Sequence, residues 1–199
     1  MRVLLNEEER EIKLVSNGTL HDVVTQIETT LPQGHLIAEV ELNDKILDSS
    51  WYHNAAKIYL LDDDSLSIRT EDAAVIGGQA LSISKSTLQL LLIDFEKIAD
   101  SFRTQDATEA NTLFVEGIEN LQLYLKLLED SVFMLGRPLA NIKDSEGAFM
   151  RHIDSLSAKL DTIIQIQDQK DWVMLADMIE YEMLPALTKI GDIYQILED

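Results

Sequence analysis

Trp172-Val-Met-Leu-Ala-Asp-Met-Ile-Glu-Tyr-Glu-Met-Leu-Pro-Ala-Leu-Thr-Lys-Ile-Gly-Asp-Ile-Tyr-Gln-Ile-Leu197 decides the reading of the second half of this chain. Trp172, Ala176, Ile179, Met183, Ala186, Ile190, Ile193 and Leu197 follow one another at intervals of four, three, four, three, four, three and four. At 3.6 residues per turn, that alternation lays all eight side chains on one stripe of a helix. The same rhythm is the seam pattern of helices packed at shallow angles, so this helix is expected to lie along other helices. Pro185 lacks an amide donor and crowds the turn before it, which predicts a kink between Tyr181 and Leu184.

Upstream of it, from Ser84 onward, the helical period persists. Leu88, Leu91, Phe95, Ile98 and Phe102 mark a first helix. Ala110, Phe114, Gly117, Leu121, Tyr124, Leu128 and Leu135 mark a second, which Asp106 with Glu109 opens as a capping box and Gly136-Arg137-Pro138 closes. Phe149, Ile153, Leu156, Leu160 and Ile163 mark a third, and Asp171 is placed to cap the fourth. Short turns make sequential helices antiparallel neighbours, so residues 80–199 are expected to form an antiparallel up-down four-helix bundle, free of strands.

The first seventy residues carry a different pattern. Residues 2–6 and 11–15 read as a β-hairpin, broken by Ser16-Asn17-Gly18. Thr19 with Asp22 forms a capping-box pattern. Leu20, Val23, Val24, Ile27 and Leu31 then follow at helical spacing as far as Pro32-Gln33-Gly34. Leu36, Ala38, Val40 and Leu42 alternate with Ile37, Glu39 and Glu41, a strand of period two. Asn43-Asp44 turns into a short Ile46-Leu47 strand. Lys57 to Leu61 is ambiguous, Asp62-Asp63-Asp64 is a solvated turn, and Leu66-Ser-Ile-Arg69 is a last strand.

Hairpin, helix, hairpin and late strand is the order of a β-grasp fold. His35-Leu-Ile-Ala with Asn43-Asp-Lys-Ile-Leu47, and Ser65-Leu-Ser-Ile-Arg69, resemble the ubiquitin-like version of it over residues 1–70. The resemblance implies that the late strand pairs in parallel with Arg2–Asn6. Ubiquitin-like modifiers end in a free Gly-Gly. Here Ile76-Gly77-Gly78 is followed by a long helical half, and residues 71–79 read as a flexible linker between 1–70 and 80–199. The fold class is therefore α+β in two parts.

Composition narrows the function classes. The net charge is −20, with 15 acids and 6 bases up to Gly78 and 21 acids and 10 bases after it. Acidity spread over both parts argues against nucleic acid and anionic membrane as partners, since both need clustered Lys and Arg. The chain has no cysteine, which excludes disulfides, thiolate metal sites and a cysteine nucleophile. The start has no signal-peptide core and no apolar run reaches a membrane span, so a cytoplasmic location is expected.

The sequence carries no catalytic, metal or cofactor motif. His21, His35, His53 and His152 are scattered, no Glu-x-x-His spacing exists, and phosphate-loop and nucleophile-elbow motifs are missing. The last helix carries apolar residues beyond its stripe, namely Met174, Leu175, Met178, Leu184 and Tyr194. Methionine-rich flanks accept partner helices. The expectation is a non-enzymatic protein-interaction module, an adaptor or chaperone-like binder. Its protein partner or dimer mate would meet Trp172, Leu175, Met178 and Tyr181. The acidic, all-helical half resembles bacterial flagellar and secretion export chaperones in character, which implies a role related to export or motility. The alternative is a regulatory domain that binds a small molecule between the two parts.

Overall fold

The structure, a computed structural model, describes residues 1–12, 18–48, 50–104 and 107–198. It is mixed α+β, with a sheet at the N-terminal end followed by a long helical region. The chain divides into two compact units, Met1–Ile76 and Gly77–Asp199.

In the first unit β1 (Arg2–Leu5) turns through Asn6 and Glu7, both at positive φ (51° and 69°), into β2 (Glu8–Glu9). Two successive left-handed residues match the right-handed twist of a hairpin, and asparagine tolerates that conformation well. This tight turn corrects the expected hairpin of 2–6 with 11–15. The return strand is the two-residue Glu8–Glu9, Glu11 and Ile12 are not in a strand, and residues 13–17 lie outside the described residues.

Helix α1 (Leu20–Glu28) begins as expected. The Asp22 carboxylate accepts from the Thr19 amide (2.7 Å) and hydroxyl (2.9 Å). These bonds hold the Asp22 carboxyl below its usual range, the Thr19 amide contributing most. Leu20, Val23, Val24 and Ile27 point inward against Val3, Val40, Leu66 and Ile68 of the sheet.

Strand β3 (His35–Leu42) departs from its even period. A bulge at Ala38 sets two residues against one of the neighbouring strand, so Ile37 pairs with Thr70 and Glu39 with Arg69. The extra residue reverses the alternation. Ile37, Val40 and Leu42 face the core, while Leu36 and Ala38 are exposed, so the expected period of two breaks at the bulge. Asn43 and Asp44 form a second left-handed turn (φ 51° and 61°) into β4 (Lys45–Ile46). Helix α2 (Trp51–Asn54) and a 3₁₀ turn at Ala55–Lys57 precede the ambiguous stretch, which makes one bridge, Tyr59 to Thr19.

Strand β5 (Ser65–Asp72) is central. The sheet order is β2-β1-β5-β3-β4, with β5 parallel to β1 in the register Val3 to Leu66 and Leu5 to Ile68, and antiparallel to β3. Both turn asparagines grip it. Asn6 donates to Thr70 Oγ1 and accepts the Thr70 amide, both at 2.8 Å. Asn43 accepts the Ser65 amide at 2.9 Å and donates to Asp64 at 2.7 Å.

The reading of 71–79 as a linker is corrected. β5 runs to Asp72, whose carboxylate accepts the Ala74 amide (2.7 Å), and α3 (Ala73–Thr104) starts at once. Gly77 lies inside that helix and is buried. A β-carbon there would sit 2.9 Å from both the Ser131 carbonyl oxygen and Met134 Cβ. The glycine serves close helix packing rather than freedom of the backbone.

Helix α4 (Ala107–Met134) ends at Gly136 (φ 70°), with the Arg137 amide bonded back to the Val132 carbonyl (2.9 Å). Residues 105 and 106, and so the expected Asp106 cap, lie outside the described residues. A 3₁₀ turn (Leu139–Asn141) leads into β6 (Lys143–Asp144) and β7 (Gly147–Ala148), an antiparallel hairpin of two residues a side. This corrects the expectation of a strand-free second half. Gly147, at φ 127°, and the Asp144 carboxylate accepting the Glu146 amide (2.8 Å) close the turn.

Helix α5 (Met150–Gln169) stops at left-handed Lys170, and Asp171 caps the last run by accepting the Met174 amide (3.1 Å). That run is α6 (Trp172–Met178), a π-helical turn (Ile179–Met183), α7 (Leu184–Gly191) and α8 (Ile193–Glu198). Side chains of α3, α4, α5 and the last run fill one core around Phe95, Tyr124, Phe149, Ile163 and Ile179. Of the eight-residue stripe, Ala176, Ile179, Met183, Ile190 and Ile193 are fully covered, and Trp172, Ala186 and Leu197 pack at its margin.

A polar chain crosses that core. The Ser84 hydroxyl and Tyr194 OH are 2.9 Å apart, and Tyr194 OH donates to Tyr124 OH at 3.3 Å. Burial pushes both phenols above their usual range. The folded state therefore holds its phenol protons more tightly than the unfolded chain. The corresponding stability is complete below pH of about 10 and is lost as the pH rises further. Tyr194→Phe takes the chain partner from the buried Tyr124 hydroxyl and leaves Ser84 its bond to the Leu81 carbonyl (2.8 Å), and is expected to cost about 1 kcal/mol, read as a lower melting temperature by circular dichroism. A variant as stable as the parent would show that the chain of hydroxyls contributes nothing.

Candidate functional site

Where the kink was expected, the chain forms the π-helical turn Ile179–Met183. The Leu184 amide reaches back five residues to the Ile179 carbonyl. The wider turn gives the Pro185 ring room where a tight α-helical turn would meet it with a carbonyl. Pro185 still supplies no amide hydrogen, so one carbonyl of the preceding turn lacks its helical donor.

Ion pairs fasten the turn to α3. Arg103 contacts Asp177 at 2.7 Å and Glu180 at 2.6 Å, and Asp100 at 3.8 Å. Beside them α3 and α7 border a groove of about 610 Å³. Its apolar lining is Ala99, Leu184 and Pro185. Around it stand the carboxylates of Glu96, Asp100, Glu180 and Asp192, with Thr188 and the single ammonium of Lys189. Lys189 is held by Asp192 at 2.8 Å.

On the other flank of Pro185 lies a smaller recess of about 300 Å³ against α5, lined by His152, Ser155, Lys159, Tyr181 and Glu182 among others. Lys159 pairs with Glu182 across it. His152 Nε2 lies 2.5 Å from Asp144 Oδ2, and Arg151 donates to Asp144 (2.8 Å) and to Glu146 (3.0 Å). These contacts pin the β6–β7 hairpin to α5. Among the described residues no three His, Asp or Glu side chains converge to hold a metal ion.

The His152 hydrogen bond, more than any other contact, depresses the Asp144 carboxyl to about 2, from 3.8. A folded-state pKa below the unfolded one gives stability that is present above pH of about 4 and lost as the pH falls toward 2. Melting temperature is expected to drop across that window, and Asp144→Asn is expected to flatten the drop. Equal slopes for parent and variant would remove Asp144 as a source of acid sensitivity.

The four residues expected to meet a partner divide. Tyr181 is 63% exposed. Trp172 is half-buried and stacks on Phe102 (centroids 5.8 Å apart, planes at 11°), and Met178 is half-buried against the core. Leu175 is 0% exposed, which corrects its assignment to a free surface. The last run packs against α5 as well as α3, so its buried sector is wider than one stripe and takes in Leu175 and Leu187. Val173, 63% exposed, and Met174, 48% exposed, are the further apolar residues it presents to solvent. Their position off the stripe was the only available signal. The Asp144–His152 pair and the groove carboxylates had none, because their members come from different elements.

No curated protein and no solved structure matches the chain. No helix among the described residues is long and apolar enough to cross a membrane. A family model, that of domain of unknown function DUF8042, matches residues 81–193, more than half of the 199. The matched segment contains every residue that lines the groove and the recess. The chain belongs to the DUF8042 family.

Proposed function

We propose that this protein is a non-enzymatic protein-interaction module, an adaptor or chaperone-like binder acting in the cytoplasm. In this reading a ubiquitin-like β-grasp head precedes an antiparallel four-helix bundle. The head is supported by the central β5, parallel to β1, with α1 between the two hairpins. The bundle is supported by contacts that tie α3 to the last run (Ser84 to Tyr194, Arg103 to Asp177) and α5 to the same run (Lys159 to Glu182). Contacts of Asn111 with Gln167, and of Gly77 with Met134, link α4 to α5 and α3.

The observation that carries the functional reading is the outer side of the last run. Val173, Met174 and Tyr181 stand in solvent on the same run whose other side fills the core. Exposed apolar and methionine side chains suit the capture of protein side chains. Cross-linking the full chain in its native cell, followed by mass spectrometry, is expected to give a protein partner. Met174→Glu and Tyr181→Glu should lose that partner without a change in melting temperature. If both variants keep every partner, or if the parent has none and a metabolite raises its melting temperature by several degrees, the reading fails.

A further inference from the structure

We infer that the groove between α3 and α7 seats a cationic segment of a partner protein, one that presents an apolar anchor flanked by Lys or Arg. This rests on the protein-binding reading and names the chemistry of the partner. The floor sets the anchor. The exposed apolar surface of the groove is the Pro185 ring, beside Ala99 and Leu184, which are already buried; an apolar side chain laid on that ring excludes water from it. The rim sets the charge. Four carboxylates face one ammonium, and that ammonium is already held by Asp192. Asp100 and Glu180 share Arg103, while Glu96 has no ion pair among the described residues.

Ammonium and guanidinium groups bring donors and no acceptors, so they satisfy the rim carboxylates. An uncharged apolar segment would strip water from the rim carboxylates with no return. An acidic segment or a nucleic acid would meet repulsion both there and from a chain of net charge −20. A volume of about 610 Å³ falls in the range of clefts that take a few side chains rather than a whole folded surface.

The test uses the full chain and a fluorescein-labelled helical peptide of leucine and lysine, read by anisotropy at about 0.15 M salt, where distant charges are screened. A twin peptide carries glutamate for lysine. The groove variant is Glu96→Lys with Thr188→Lys, both exposed positions. The control is Glu116→Lys with Asp161→Lys, which changes the net charge by more but lies outside the groove. The groove variant is expected to bind the lysine peptide about tenfold more weakly or worse, the control within about threefold of the parent, and the glutamate twin not at all. Glu96→Gln alone, which removes one charge from an exposed side chain, should weaken binding about threefold and guards against misfolding of the double variant.

Equal losses in groove variant and control would mean general attraction and overturn the inference, as would tighter binding of the glutamate twin. A dimer of the parent that the groove variant converts to monomer would place a second copy in the groove and overturn it too. A native partner lost by Tyr181→Glu but kept by the groove variant would overturn this inference and leave the protein-binding reading standing. Groove-specific peptide binding with no native partner would overturn both.

Discussion

Leu175→Glu is expected to unfold Gly77–Asp199, while Tyr181→Glu, six residues on, leaves its melting temperature within a few degrees of the parent. Leu175 is fully covered by the core that α3, α4 and α5 share with the last run. Truncating such a leucine to alanine costs about 2–5 kcal/mol. A carboxylate in its place adds an unpaired polar group in an apolar surround, which costs several kcal/mol more or is met by protonation. The total approaches the whole stability of a typical domain, about 5–15 kcal/mol. Tyr181 is mostly in water, and a surface change of that kind stays within about 0.5 kcal/mol. Thermal melts followed by helical circular dichroism decide between them. A Leu175→Glu protein that melts with the parent would mean that α6 is not packed as described.

Gly77→Ala and Gly78→Ala are expected to move stability in opposite directions. The added methyl at Gly77 would meet the Ser131 carbonyl oxygen and Met134 Cβ at 2.9 Å and Leu135 Cγ at 3.2 Å. Backbone and β-carbons have little room to give, so α3 and α4 must part, at about 1–3 kcal/mol. At Gly78 nothing lies within 4 Å of the new methyl. There alanine removes the entropic penalty of glycine in a helix and stabilises by about 0.5–1 kcal/mol. For a domain of this size each kcal/mol is about 2–4 °C. A flexible joint predicts no effect at either position, so two unchanged melts would restore it.

Much of the architecture was legible because burial leaves a period. The stripe from Trp172 to Leu197 and the apolar set of α1 both survive in the structure, as does the parallel pairing of β1 with β5. What was not legible came from features without a period. The single extra residue at Ala38 turned an even alternation over. Strands β6 and β7 are too short to alternate. Gly77 reads as a breaker in sequence, and only its close approach to Ser131 and Met134 gives it a packing reason. Leu175 looked like a spare apolar flank because a single stripe cannot show that a helix is covered on two sides. The groove joins Glu96 and Ala99 to Asp192, positions nearly half the chain apart, so no local pattern announces it.

The position of β5 bears on how the protein is made. It is the middle strand of its sheet and also the last to leave the ribosome. Until residues 65–72 emerge, β1 has only the two-residue β2 to pair with, and β3 only β4. The nascent head therefore stays open with Val3, Val40 and the α1 face uncovered, and closes in one late step across more than sixty residues of chain. Of the helices that follow, α5 joins the last run through a short connection, and the two can pair as they emerge. Synthesis thus exposes the head to aggregation or chaperone capture in a narrow interval, which ends when Asp72 clears the exit tunnel.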